Sequence, residues 1–182
     1  MIKVTSLDLK EVLVLEYEST EDSRGTTYKL FSKMELEEAG IFTEFVEEIL
    51  YCPARKGTLY GIHFQNHPKA QAKLLCCTKG RGLDFAIDLR KGSDTYKKWT
   101  CIELTPQNKK QIYIPVGFGH VFLSLEDDTH VIMRIDKCFD QELYRVITYA
   151  DTEINIKIDV ENPILSEKDK IATSLKECDC NL

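Results

Sequence analysis

Gly57-Thr58-Leu59-Tyr60-Gly61-Ile62-His63-Phe64-Gln65 decides how this chain is read. Strand alternation puts Ile62 and Phe64 on one face and Gly61, His63 and Gln65 on the other. An imidazole on a strand face next to glycine is open to a ligand, because glycine lacks the side chain that would block the approach. A core histidine satisfied by a backbone carbonyl gives the same local pattern. The rest of the chain has to separate the two.

Downstream of that stretch the pattern stays all-β as far as Arg134. Apolar runs recur at Lys73–Thr78, Leu83–Leu89, Thr100–Leu104, Gln111–Pro115, His120–Leu125 and His130–Ile135. Turn signals separate them, among them Lys79–Gly82, Pro106–Asn108, Gly117–Gly119 and Glu126–Thr129. No long helix intervenes, so parallel βαβ crossovers are not expected. A double-sheet jelly roll or open barrel is the economical solution. Upstream, two strands flank a polar turn at Glu21–Gly25, Ser32 caps a short helix over Lys33–Ala39, and Phe42, Phe45 and Val46 suggest a strand. After Asp151 a last strand over Ile154–Ile158 and a helix from Ser166 to about Lys176 are expected. Ser166 followed by Asp169 resembles a capping box, which would by itself account for that acid.

The 182 residues fit one domain with a sizeable core. No apolar run is long enough to span a bilayer and the N-terminus lacks a signal-peptide layout, so a cytoplasmic location is expected. Seven irregularly spaced cysteines suit reduced thiols better than a disulfide framework, and Cys178-Asp179-Cys180 is too small a motif to argue for metal. A net charge of −6 with no basic stretch argues against nucleic acid but not against a small anionic substrate, which needs only two or three placed cations.

Of the four histidines, His63 and His120 lie on or beside strands with a glycine nearby. His63 and His67 are four apart, a spacing that aligns ligands on a helix rather than a strand, so metal is the weaker reading. There is no glycine-rich phosphate loop and no serine or cysteine in a nucleophile context. What remains is an acid–base site drawn from His63, Asp169, Lys73 and a tyrosine.

An ordered set of segments then resembles the dTDP-4-dehydrorhamnose 3,5-epimerase family. They are Ser23-Arg24-Gly25, the stretch 57–65, Lys73 before a strand, the run from Asp84 to Arg90, Lys98-Trp99, the run from Ile114 to Phe122, and the run from Pro163 to Asp169. The resemblance implies one cupin domain over 1–182, a jelly roll (double-stranded β-helix) with short flanking helices. Its core would lie at about 42–150, with N-terminal strands and a helix over 1–41 and a C-terminal strand and helix over 151–182. It implies a homodimer, no cofactor and no metal, and a nucleotide-linked 4-keto-6-deoxy sugar whose C3 and/or C5 is inverted by proton abstraction next to the ketone. Neither a nucleic acid nor a membrane is an expected partner; the setting is surface polysaccharide synthesis.

By the same resemblance His63 is the base, Asp169 orients it and stabilises its protonated form, and Lys73 stabilises the enolate oxygen. Substrate binding falls to Arg24, Gln65, His120, Lys168, Met133 and Phe139, the last as a stacking face for the base. The departures are specific. The family's far-face tyrosine corresponds to Met133, and a thioether has no proton to give. The arginine expected before Gly61 is Tyr60, and family glutamates fall at Lys29 and Tyr144. Tyr60, Tyr144 or a water would have to return the proton. The alternatives are a keto-sugar isomerase working on one face and a lapsed sugar-nucleotide-binding cupin; the epimerase reading stands first.

Overall fold

Two antiparallel sheets packed face to face carry the site. The computed structural model describes residues 2–182. Six strands form one sheet: β1 (Lys3–Ser6), β2 (Leu13–Glu16), β5 (Glu47–Tyr51), β7 (Lys73–Lys79), β10 (Lys110–Ile114) and β12 (His130–Ile135), in the spatial order β1-β2-β10-β7-β12-β5. Five strands form the other: β6 (Leu59–Gln65), β8 (Gly82–Asp88), β9 (Trp99–Leu104), β11 (Phe118–Ser124) and β13 (Tyr144–Val146), in the order β13-β6-β11-β8-β9. A separate hairpin pairs β3 (Ser19–Asp22) with β4 (Gly25–Tyr28). The helices are α1 (Lys33–Glu38) and α2 (Glu167–Lys170). Every ladder is antiparallel, as the jelly-roll expectation requires.

Alternation divides the apolar residues into layers. Leu75, Ile112 and Val131 from the six-stranded sheet meet Ala86, Phe118 and Phe122 from the five-stranded sheet in the interior. The outer face of the five-stranded sheet, with Ile62, Phe85 and Val121, is covered by the C-terminal segment through Ile154, Ile156 and Leu175. Each such side chain contributes about 1.5–3 kcal/mol through burial, a large share of a total stability of about 5–15 kcal/mol. A third cluster seats Leu36 of α1 on Leu15 and Leu74 at the outer face of the six-stranded sheet.

The structure corrects several boundaries. Four N-terminal strands replace the expected two, and the polar turn is the tip of the β3–β4 hairpin. Phe42–Val46 is not a strand; the strand starts at Glu47, and Phe42 stands 77% exposed. Gly117 does turn (φ +98°), but Phe118 and Gly119 already belong to β11, where a Cβ at Gly119 would strike Ile62 and Leu89. Ile154–Ile158 forms no strand: Ile154 and Ile156 bury as cover without pairing. The last helix stops at Lys170, not Lys176, because Thr173 leaves to bridge Ile147.

One irregularity places the site. In the β6–β11 ladder His120 faces His63 and Phe122 faces Tyr60, so three steps along β6 match two along β11. This β-bulge inserts a residue and reverses the facing of everything before it. Tyr60 and His63, an odd number apart, therefore both face inward. Gly61 makes the bulge feasible: its φ is +123°, and a Cβ there would collide with the His120 carbonyl and Val121.

Candidate active site

His63, Lys73, His120 and Met133 open into one cavity of about 280 Å³ between the two sheets. Its mouth carries Phe139, Tyr144 and Lys168. The lining is mostly apolar with a few convergent polar groups, the usual make-up of a small-molecule site.

His63 is held from behind. Its Nε2 lies 2.6 Å from Oδ1 of Asp169, and Oδ2 of the same carboxylate accepts from the Ser166 hydroxyl at 2.6 Å. The Asp169 side chain is 2% exposed. Ser166 also accepts from the Asp169 backbone N–H at 3.2 Å, so the capping role and the contact with His63 coexist in one residue. Burial opposes ionisation of Asp169, but His63, Ser166 and the Gly61 N–H together outweigh it and hold its pKa below the ordinary value. For His63 burial wins: it pushes the pKa below 6.5, against the upward pull of Asp169 and with help from His120 and Lys73. A neutral imidazole with its Nε2–H on an ionised carboxylate leaves Nδ1 free to accept a proton.

Lys73 is buried on the opposite wall, and burial brings its pKa down to about 8 although Asp136 and Asp84 pull it up. His120 is buried with its Nε2 3.1 Å from Oδ2 of Asp84. Burial raises the Asp84 pKa despite His120 and Lys73, and its Oδ1 is buried without a hydrogen-bond partner. At the mouth the Tyr144 ring lies 5.4 Å from the His63 ring and 5.3 Å from Phe139, with the Lys168 ammonium 5.5 Å from its centre.

A family model described as dTDP-4-dehydrorhamnose 3,5-epimerase matches residues 6–177. The chain belongs to that family. A dTDP-4-dehydrorhamnose 3,5-epimerase of Shigella flexneri is 37% identical over 169 residues, 92% of this chain and 93% of the relative. The crystal structure of the Bacillus anthracis epimerase, with TDP and pyrophosphate bound, superposes with a TM-score of 0.92 at 34% identity, covering 96% of this chain and 99% of that one. The Legionella pneumophila epimerase, in complex with dTDP-4-keto-L-rhamnose, gives a TM-score of 0.93 at 30% identity, covering 98% and 95%. This family member is therefore an isomerase of the nucleotide-sugar epimerase class on a jelly-roll cupin fold.

Within that frame the structure gathers His63, Asp169, Lys73, His120, Met133, Tyr60, Tyr144, Phe139 and Lys168 at or directly behind one cavity. Two expected residues are not gathered. Gln65 lies outside the cavity lining: its amide donates to the carbonyls of Lys69 (2.6 Å) and Cys138 (3.2 Å), and its Oε1 accepts from the Asp140 N–H at 2.8 Å. A buried amide takes the backbone partners within reach, and here they tie two loops together. Arg24 sits at the tip of the β3–β4 hairpin, 87% exposed and 2.6 Å from Asp22. It lies outside this chain's cavity lining.

Sequence reasoning missed Tyr51, Gln71 and the Asp84 partner of His120. Tyr51 lines the cavity with its ring stacked on Tyr60 at 5.1 Å and 13°. The run Glu47-Glu48-Ile49-Leu50-Tyr51 does not alternate in polarity, so the sequence carried little signal for it; in the structure Ile49 and Tyr51 share the cavity face while Leu50 stays exposed. Among the described residues no group of three His, Cys, Asp or Glu side chains is placed to hold a metal ion, and no helix is long and apolar enough to cross a membrane.

Proposed function

We propose that this chain inverts a carbon adjacent to the ketone of a nucleotide-linked 4-keto-6-deoxy sugar, with dTDP as the first nucleotide to try. The observation that carries the reading is the His63–Asp169 pair facing the same cavity as a buried lysine. A C–H beside a carbonyl is removable when a base is positioned and the enolate oxygen is stabilised. Neutral His63 takes the proton on Nδ1, Asp169 balances the imidazolium, and the Lys73 ammonium faces the developing oxyanion. His120, fixed by Asp84, donates toward the sugar. Phe139 and Lys168, at the mouth, receive the base and the diphosphate. A sugar ring fills a cavity of this size, leaving the nucleotide to the rim.

A homodimer in the cytoplasm, serving surface glycan synthesis, completes the reading. The β3–β4 hairpin stands exposed along both strands, and a hairpin on its own is marginal in water. Phe31, Met34, Phe42, Val46 and Leu50 are exposed apolar side chains, a surface suited to a second copy. Arg24 would reach substrate only through such an assembly.

The test is incubation with dTDP-4-keto-6-deoxyglucose in D₂O followed by NMR. Deuterium at C3 or C5 with inverted configuration is the expected result. Deuterium with retained configuration would make the protein a one-faced isomerase, and binding without exchange would make it a lapsed binder.

A further inference from the structure

Inverting a carbon takes two proton transfers on opposite faces of the substrate. One group removes the proton, and another group across the site returns one. His63 stands on β6 of the five-stranded sheet. Tyr60 and Tyr144, the tyrosines that the sequence brings to mind as donors, stand on β6 and β13 of that same sheet. A donor for the other face has to come from the six-stranded sheet. There the wall is Ile49, Met133 and Ile135, and its titratable side chains among the described residues are Tyr51 and Lys73.

We infer that Tyr51 is the catalytic proton donor opposite His63, an assignment that rests on the epimerase reading above. β5 runs beside β12, with Ile49 paired to Met133 and Tyr51 to Val131, and Tyr51 turns inward with Ile49. The Tyr60 stack fixes the ring plane. The hydroxyl donates to Sδ of Met133 at 3.1 Å. A thioether is a weak acceptor, so the O–H is held at the wall by a bond that costs little to break. Burial first, then Asp84 and the neighbouring phenols, raise the pKa of Tyr51, so the group keeps its proton through the physiological range. Lys73 is needed as a cation beside the enolate oxygen, a role it would lose by giving its proton to carbon.

The step balances. His63 takes the proton from carbon, and the C–H electron pair moves into the enolate. That pair returns to the same carbon from the other side to form a C–H bond with the Tyr51 proton, and the O–H pair stays on oxygen as phenolate. An enolate carbon is a far stronger base than a phenolate, so the transfer runs downhill. Solvent then reprotonates Tyr51 and takes the proton from the imidazolium.

Tyr51→Phe keeps the ring and its stack and removes only the hydroxyl. In D₂O with dTDP-4-keto-6-deoxyglucose, the variant is expected to wash deuterium into the substrate at close to the wild-type rate with configuration retained. Epimer formation falls by about 10²- to 10⁴-fold, the usual weight of a general acid. Adding Met133→Tyr to Tyr51→Phe returns a phenol to the adjacent strand and is expected to raise inversion above that of Tyr51→Phe, a recovery that a folding defect would not show. Inversion by Tyr51→Phe at the wild-type rate would overturn the assignment. So would separation of exchange from inversion in Tyr60→Phe or Lys73→Met but not in Tyr51→Phe. Wild-type protein showing neither exchange nor inversion would overturn the epimerase reading, and this assignment with it.

Discussion

The wall supplied by the five-stranded sheet and the wall supplied by the six-stranded sheet face one cavity with opposite chemistry. On the first, each imidazole has a carboxylate: Asp169 behind His63 and Asp84 against His120. On the second, Ile49, Met133 and Ile135 surround Tyr51 and Lys73. On the proposed mechanism the contrast shows how one fold divides a proton transfer between two walls. The basic wall is pre-wired, with carboxylates fixing tautomer and orientation, so the imidazole is ready without reorganisation. Desolvation acts on both walls, lowering His63 and Lys73 and raising Tyr51 away from their ordinary values, while the carboxylate hydrogen bonds to imidazoles belong to the first wall.

Breaking the wired wall has the largest expected effect. Asp169→Asn keeps the shape but turns an acceptor into a donor toward Nε2. The imidazole then swaps tautomer and its lone pair points at the amide. A fall in kcat of about 10³- to 10⁴-fold is expected, as when the carboxylate of a catalytic triad becomes an amide. An activity within a few-fold of wild type would mean that Asp169 serves as a helix cap alone.

On the apolar wall, Lys73→Met is expected to slow both deuterium exchange and inversion by about 10²- to 10³-fold, the weight of one oxyanion-stabilising group. Loss of inversion with exchange intact would make Lys73 a donor instead. The same contrast sets the pH profile. On the proposed mechanism His63 has to be neutral, which it is above a pKa that lies below 6.5, and Lys73 has to be charged, which it is below about 8. The profile of kcat/KM is therefore expected to fall on the acid side below pH 6.5 and on the basic side near pH 8. A basic limb at the ordinary lysine value would show that Lys73 is not desolvated in the working enzyme.

The smallest effect tests what brings the walls into register. Gly61→Ala puts a Cβ against the His120 carbonyl in a left-handed backbone conformation. A destabilisation of about 1–3 kcal/mol is expected, read by chemical denaturation. An unchanged midpoint would mean that the bulge relaxes freely.

Much of the fold was legible because alternation and turn chemistry agree over 58–135. Lys73, Asp84, His120 and Met133 fall on inward positions of clean strands. The bulge was not legible: reading parity along 57–65 sets Tyr60 on the face opposite His63, and only the pairing with Phe122 brings it back. Gln65 shows the converse limit, since parity names the face but not the backbone groups waiting there. Ile154 and Ile156 alternate like a strand because they cover a sheet, and a cover needs burial rather than a ladder. Tyr51 lay in a five-residue edge strand, too short for its period to stand out.

The most direct measurement compares wild type with His63→Asn in D₂O, following deuterium at C3 and C5 of dTDP-4-keto-6-deoxyglucose by NMR while titrating binding separately. Wash-in that disappears in the variant, with affinity within a few-fold of wild type, is what a neutral imidazole acting as the base predicts. Deuterium entering at an unchanged rate in His63→Asn would contradict it.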